Sequence, residues 1–185
     1  TGELLDALVE ALPQQTTSLR DDLPRFAVVG RPNAGKSSFV NALIGEPRNI
    51  VKDEAGTTRD SIDTLYNRFG FEFCLVDTAG IRRKAKVKAN IEFYSVMRAL
   101  RSIEHSDVCM LVYDATRGFD AQVKNIFWLA ARNHKGVVIL VNKWDLVDKT
   151  TQTTKQVEEQ IRAEIAPFVD VPIVFISSQT KQRVF

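Results

Sequence analysis

Along the chain, short apolar runs rich in β-branched residues alternate with stretches in which apolar positions recur every three or four residues. The runs Phe26–Val29, Asp63–Phe69, Phe71–Val76, Val108–Tyr113, Val137–Val141 and Ile173–Ile176 read as strands. Lys36–Ile44, Ile91–Ile103, Ala121–Arg132 and Thr153–Ala166 read as helices. In the second of these, Phe93, Val96, Met97, Leu100 and Ile103 form one apolar face assigned to the core. Alternation of this kind predicts an α/β fold: a mostly parallel six-stranded sheet with right-handed crossovers and helices on both faces. Only a turn at Gly70 separates the second and third strands, which predicts an antiparallel hairpin at one edge.

Ahead of this pattern, Gly2–Leu12 carries Leu4, Leu5, Leu8, Val9 and Leu12 at helical spacing, and an aperiodic polar stretch, Pro13–Asp22, follows. The shift in composition predicts a boundary, with residues 1–24 as the tail of a preceding domain plus a linker and 25–185 as the main domain. With 185 residues, 44% of them hydrophobic, one main domain with a substantial core is expected. A net charge of +2 singles out neither nucleic acid nor membrane, and no DNA partner is expected. Cys74 and Cys109 both sit inside apolar runs, where reduced cysteines serve as small hydrophobes, so a disulfide-free cytoplasmic protein is expected. No apolar stretch is long enough to span a membrane, and no signal-peptide pattern opens the chain.

The first strand runs into Gly30-Arg31-Pro32-Asn33-Ala34-Gly35-Lys36-Ser37-Ser38 and then a helix, the context in which Gly-x-x-x-x-Gly-Lys-Ser grips phosphate. Its glycines let consecutive N–H groups turn inward, and the helix N-terminus adds partial positive charge. Lys36 is expected at the β- and γ-phosphates and Ser37 on Mg²⁺. The loop alone does not choose between adenine and guanine.

That choice falls to Asn142-Lys143-Trp144-Asp145, at the end of the strand Val137–Val141 where open α/β sheets bind ligands. A carboxylate at Asp145 accepts two hydrogen bonds from the N1–H and 2-amino group of guanine, whereas adenine has no donor at N1. Asn142 is expected to fasten the base edge and tie this loop to the phosphate loop, with the Lys143 stem along the base and Trp144 packed beside the pocket. A third motif, Asp77-Thr78-Ala79-Gly80, places Asp77 for Mg²⁺ through its water shell and the Gly80 N–H for the γ-phosphate. In Gly56-Thr57-Thr58-Arg59-Asp60, Thr58 is assigned as the hydroxyl that closes over Mg²⁺ and the γ-phosphate. Ser177-Ser178, after the last strand, suits either a loop passing over the guanine or a plain strand-end turn.

Together, Gly-Arg-Pro-Asn-Ala-Gly-Lys-Ser-Ser, Gly-Thr-Thr-Arg-Asp, Asp-Thr-Ala-Gly-Ile-Arg-Arg-Lys and Asn-Lys-Trp-Asp resemble the translation-factor-related GTPases. Within that class they are most similar to the second GTPase domain of the Der (EngA) family of bacterial ribosome-assembly GTPases. The resemblance covers about residues 25–185 and implies a Ras-like fold, GTP and GDP as ligands, and a switch acting in maturation of the large (50S) ribosomal subunit or its rRNA. It also implies a preceding GTPase domain, to which Thr1–Leu12 would supply the last helix, and a final helix and a KH-like domain beyond this stretch. Ser178 departs from the family, which usually has Ala there.

The water-positioning Gln found in many GTPases is absent, since apolar Ile81 follows Asp77-Thr78-Ala79-Gly80. The family resemblance implies a substitute: Asn33 as a ligand of K⁺ beside the β,γ bridge, neutralising developing charge as an arginine finger does, with Lys36, Thr58 and Gly80 completing the catalytic set. A simple capping role for Asn33 is the alternative. Arg82-Arg83-Lys84-Ala85-Lys86-Val87-Lys88 suits either an RNA or acidic-surface contact or a solvated loop. The rival function is a nucleotide-dependent binding module whose hydrolysis is negligible until a partner or K⁺ completes the site.

Overall fold

The computed structural model describes residues 22–45, 63–78, 91–148 and 153–184. In chain order the elements are β1 (Arg25–Val29), α1 (Lys36–Ile44), β2 (Thr64–Arg68), β3 (Phe71–Val76), α2 (Ile91–Glu104), β4 (Val108–Asp114), α3 (Ala121–Arg132), β5 (Gly136–Asn142), α4 (Thr153–Glu164) and β6 (Ile173–Phe175). They form a six-stranded sheet in the order β2-β3-β1-β4-β5-β6. β2 pairs antiparallel with β3 across the Phe69-Gly70 turn, and every other pairing is parallel. The fold class, the edge hairpin and its turn at Gly70 are as the sequence pattern predicts.

Alternation along the strands divides the core between the two sheet faces. Ala27, Val29, Cys109, Leu111, Tyr113, Ile139 and Val141 face the side packed by Ile103 of α2, Val123 and Phe127 of α3 and Ile161 of α4. Val28, Met110, Val112 and Leu140 face the side packed by Phe39, Val40 and Leu43 of α1. Both cysteines are buried thiols outside any disulfide.

Beyond shifts of one residue at the ends of several elements, three details differ from expectation. Met97, assigned to the apolar face of α2, is 43% exposed, while Ile103 on the same helix is fully buried. Helix α4 stops at Glu164 rather than Ala166, consistent with Pro167, which disfavours helical backbone in the residue before it. A short 3₁₀ turn, Trp144–Leu146, follows β5 without a periodic pattern to announce it. The expected helix Gly2–Leu12 and its linker lie outside the described residues.

What the topology does for function is set by β1. It pairs with β3 on one side and β4 on the other, so the chain leaves β1 at the point where strand order reverses, and ligands bind at such switch points in open α/β sheets. The carboxyl ends of β1, β3, β4 and β5 lie together there, and each carries a polar motif.

Candidate functional site

The phosphate loop leaves β1 at Gly30, whose φ of +144° and closeness to the Val112 carbonyl oxygen leave no room for a Cβ. Arg31-Pro32-Asn33-Ala34 then forms a turn, with the Ala34 N–H donating to the Arg31 carbonyl at 3.3 Å. Pro32 in its second place and a φ of +64° at Asn33 in its third are the requirements of a type II turn. Asn33 is therefore displayed at the crown of the loop and exposed. Gly35, at φ +98°, starts α1, and a Cβ there would run into the Asn142 side-chain amide.

Lys36 folds back over this loop, its Nζ donating to the carbonyls of Gly30 at 2.8 Å and Arg31 at 2.7 Å. Burial lowers its pKa to about 8 from 10.5, even though two carbonyls accept from the ammonium. Ser37 and Ser38 are exposed in the first turn of α1. The Arg31 guanidinium pairs with Asp120, whose other oxygen caps α3 by accepting from the N–H groups of Gln122 (3.0 Å) and Val123 (3.1 Å). One carboxylate thus ties the phosphate loop to a helix end.

The second loop follows β5. Asn142, 2% exposed, donates from Nδ2 to the Ala34 carbonyl at 2.9 Å and accepts at Oδ1 from the Ser178 N–H (3.0 Å) and hydroxyl (2.8 Å). Three loops from distant parts of the chain therefore meet at one amide. Both donors of Ser178 are directed at Asn142, and the hydroxyl bond is one that an Ala here would lack. Ser177 is fully buried, and its N–H donates to the Gln182 carbonyl at 3.1 Å, which gives that residue a structural role.

Lys143 takes a left-handed backbone, φ +60°, uncommon for a residue with a long side chain. Its Nζ reaches Oδ2 of Asp114, at the end of β4, at 2.5 Å. Trp144 is buried in the core, with its ring centroid 4.6 Å from that of Phe175. Asp145 sits in the 3₁₀ turn, partly exposed. No described residue donates a hydrogen bond to its side chain.

The third corner follows β3. Asp77 has φ +52°, and its Oδ2 accepts from Ser102 Oγ of α2 at 3.1 Å. The Asp77 N–H donates to Asp63 Oδ1 at 3.2 Å, while Asp63 Oδ2 accepts from the Arg25 guanidinium at 2.6 Å. The next residue, Thr78, is fully buried and shares a hydroxyl contact of 2.7 Å with Thr64. Asp63 and Thr64, where the chain enters β2, are thus latched to the end of β3. The assignments at Thr57, Thr58, Ala79, Gly80 and Ile81, and the basic run Arg82–Lys88, lie outside the described residues.

Sequence reasoning did not single out Asp114, Asp120 or Ser102. Asp120 carries a readable signal, a carboxylate directly before a helical pattern. Asp114 meets Lys143 and Ser102 meets Asp77 only through sheet register and helix packing.

A glycine-cradled phosphate loop at the topological switch point, with a carboxylate at the next strand end and a polar Asn-Lys-x-Asp loop beyond it, defines a P-loop GTPase domain. More narrowly, the chain belongs to the family described as 50S ribosome-binding GTPase, whose model matches residues 25–143. It is 76% identical over 185 residues to GTPase Der of Christiangramia forsetii, covering 100% of this chain and 43% of that protein. It is 60% identical over 186 residues to GTPase Der of Bacteroides thetaiotaomicron, again covering 100% of this chain and 43% of that protein. The chain therefore spans less than half the length of these relatives.

Among solved structures, a single-residue variant of Era from Aquifex aeolicus, bound to GDP·AlF4⁻, superposes with a TM-score of 0.63 at 24% identity, over 85% of this chain and 52% of that one. Elongation factor SelB of Methanococcus maripaludis, in complex with a GTP analogue, gives 0.62 at 16%, over 86% and 31%. Both likenesses show the fold. Among the described residues, no helix is long and apolar enough to cross a membrane.

Proposed function

We propose that this domain binds GTP and hydrolyses it as a Mg²⁺-dependent switch, in the cytoplasm, during assembly of the large ribosomal subunit. The observation that carries this reading is the Asn142 amide, which joins the Ala34 carbonyl of the phosphate loop to Ser178 beyond the last strand. A base loop fixed to a phosphate loop in this way holds a nucleotide at both ends. High identity to GTPase Der supports the ribosomal role, as does family membership. The tandem arrangement that the motif resemblance implies, with residues 1–24 linking to a preceding GTPase domain and a KH-like domain following, is part of the same proposal, and the 43% share of the relatives' length spanned here leaves room for it.

The chain's donors for Mg²⁺ are oxygens, the Ser37 hydroxyl and the Asp77 carboxylate, which suit a hard divalent ion, with Thr58 as the third. No group of three or more His, Cys, Asp or Glu able to hold a metal occurs among the described residues, so phosphate oxygens would complete the shell. Bound there, the ion supplies charge neutralisation at the phosphates.

Lys36 already points its ammonium across the loop, where phosphate oxygens would compete for it with the Gly30 and Arg31 carbonyls. Asn33, displayed at the crown of the turn, offers a side-chain carbonyl suited to K⁺, which would take the place of the missing Gln side chain. Asp145 reads the guanine edge, and Gly80 and Thr58 close on the γ-phosphate.

Single-turnover GTP hydrolysis in K⁺ and in Na⁺ at equal ionic strength, with and without 50S subunits, tests the catalytic half of this reading. Faster turnover in K⁺, lost in Asn33→Ala, is expected. Equal rates in the two salts would remove K⁺ from the account, and no hydrolysis under any condition would reduce the domain to a nucleotide-dependent binding module.

A further inference from the structure

We propose that Asp114 is a positioning residue of the guanine site, acting through Lys143. The inference rests on the placement of the Lys143 stem along the base, and the test below lets the two fail separately.

Asp114 is the last residue of β4 and the in-register neighbour of Asn142, the last residue of β5. It is only 9% exposed, an unusual location for a carboxylate unless each oxygen is satisfied. Both are. Oδ1 accepts from the Thr116 N–H at 3.0 Å and from the Thr116 hydroxyl at 2.6 Å, while Oδ2 accepts from Lys143 Nζ at 2.5 Å. The Thr116 bonds leave the carboxylate little freedom to rotate, so Oδ2 is a fixed anchor. Two backbone bonds hold this strand end in place: the Ala115 N–H donates to the Asn142 carbonyl at 2.9 Å, and the Arg117 N–H to the Asp114 carbonyl at 3.0 Å.

Lys143 is the complementary half. Its left-handed backbone directs the side chain from β5 back across the end of β4, and its ammonium is fixed at Asp114. A flexible four-carbon stem becomes a strut held at both ends, beside Asn142 on one side and the Trp144–Leu146 turn on the other. An unanchored lysine would lose side-chain entropy on lying against a base, and an anchored one has already lost it. The strut presents an apolar edge, so it serves any purine. Choice of guanine stays with Asp145.

Burial raises the cost of the Asp114 charge, but the Lys143 and Thr116 hydrogen bonds outweigh it and hold its pKa below the usual carboxylate range. The anchor is therefore charged at neutral pH.

The test is a double-mutant cycle read by GDP and IDP affinity on this chain. Asp114→Asn keeps an acceptor for Thr116 and removes the charge facing Lys143. It is expected to weaken both nucleotides by the same factor, about tenfold, the scale of one charge-assisted hydrogen bond. In a Lys143→Ala background the same change is expected to add less than about twofold. Lys143→Met, which keeps the stem and loses the anchor, supplies a second route should Asp114→Asn prove unstable, and is expected to lose about the same factor as Asp114→Asn.

An equal loss from Asp114→Asn with and without Lys143 would overturn the inference while leaving the guanine site standing, as would full affinity in Lys143→Met. Unchanged GDP affinity in Lys143→Ala would overturn the placement of Lys143 on the base, and the inference with it.

Discussion

Asn142 and Ala34, 108 residues apart in sequence, are joined by a buried hydrogen bond of 2.9 Å from the side-chain amide of one to the carbonyl of the other. Because Asn142 also accepts from Ser178, its removal strands the Ala34 carbonyl and the Ser178 donors together. Asn142→Ala is expected to cost about 2 kcal/mol or more of stability, from unsatisfied buried polar groups. It should weaken GDP binding far beyond that, since the two loops lose their common fastener. Thermal unfolding and nucleotide titration of the variant check both halves.

Two glycines separate site geometry from general backbone cost. Gly35 sits at φ +98° with no space for a Cβ beside Asn142, whereas Gly70, at φ +78° in the hairpin turn, has open space. Gly35→Ala is expected to abolish measurable nucleotide binding. Gly70→Ala should cost about 1 kcal/mol of stability, the penalty for a side chain in left-handed backbone, and leave GDP affinity within about twofold.

The Lys36 ammonium gives the site a proton linkage. Its folded pKa, about 8, lies below the 10.5 of a free lysine, so the unfolded chain holds more protons between those values, and stability of the nucleotide-free protein should rise with pH across that window. Bound phosphate favours the charged form and reverses the shift. GDP binding at about pH 8.5 should therefore take up a substantial fraction of one proton, and at about pH 6.5 almost none. Calorimetry in two buffers of different ionisation enthalpy reads this directly, and identical heats at the higher pH would contradict it.

The Arg31–Asp120 pair predicts a link between α3 and the phosphate loop. Arg31→Ala and Asp120→Asn are each expected to weaken GDP binding by roughly threefold, the scale of a partly exposed ion pair, and the double variant by no more than either alone. Asp120→Ala should in addition lose about 1 kcal/mol of stability with the helix cap.

Much of this architecture is written in local pattern. β3, α1 and α3 fall on the predicted residues because their apolar spacing and flanking Gly, Lys or polar residues are short-range signals. The phosphate loop and the Asn-Lys-x-Asp loop are contiguous motifs and equally legible. The Lys143 bond of Asp114 and the Asp77 bond of Ser102 are not, because these partners lie 29 and 25 residues away and meet them only once strand register and helix packing are set. Met97 shows the converse: helical spacing marks an apolar stripe, but the width of that stripe in contact with the sheet depends on how the helix sits.

Guanine recognition by Asp145, in the turn after β5 beside a glycine-cradled phosphate loop, is the claim on which the rest depends. Displacement of fluorescent GDP by unlabelled GDP, ADP and XDP, for the native chain and for Asp145→Asn, measures it most directly. GDP should displace at equivalent concentration and ADP not even at about hundredfold excess, the discrimination expected of a site that hydrogen-bonds the base edge. In Asp145→Asn the preference should move to XDP, whose C2 carbonyl accepts from the new amide. Displacement by ADP as readily as by GDP, or an unchanged preference in the variant, would contradict the account.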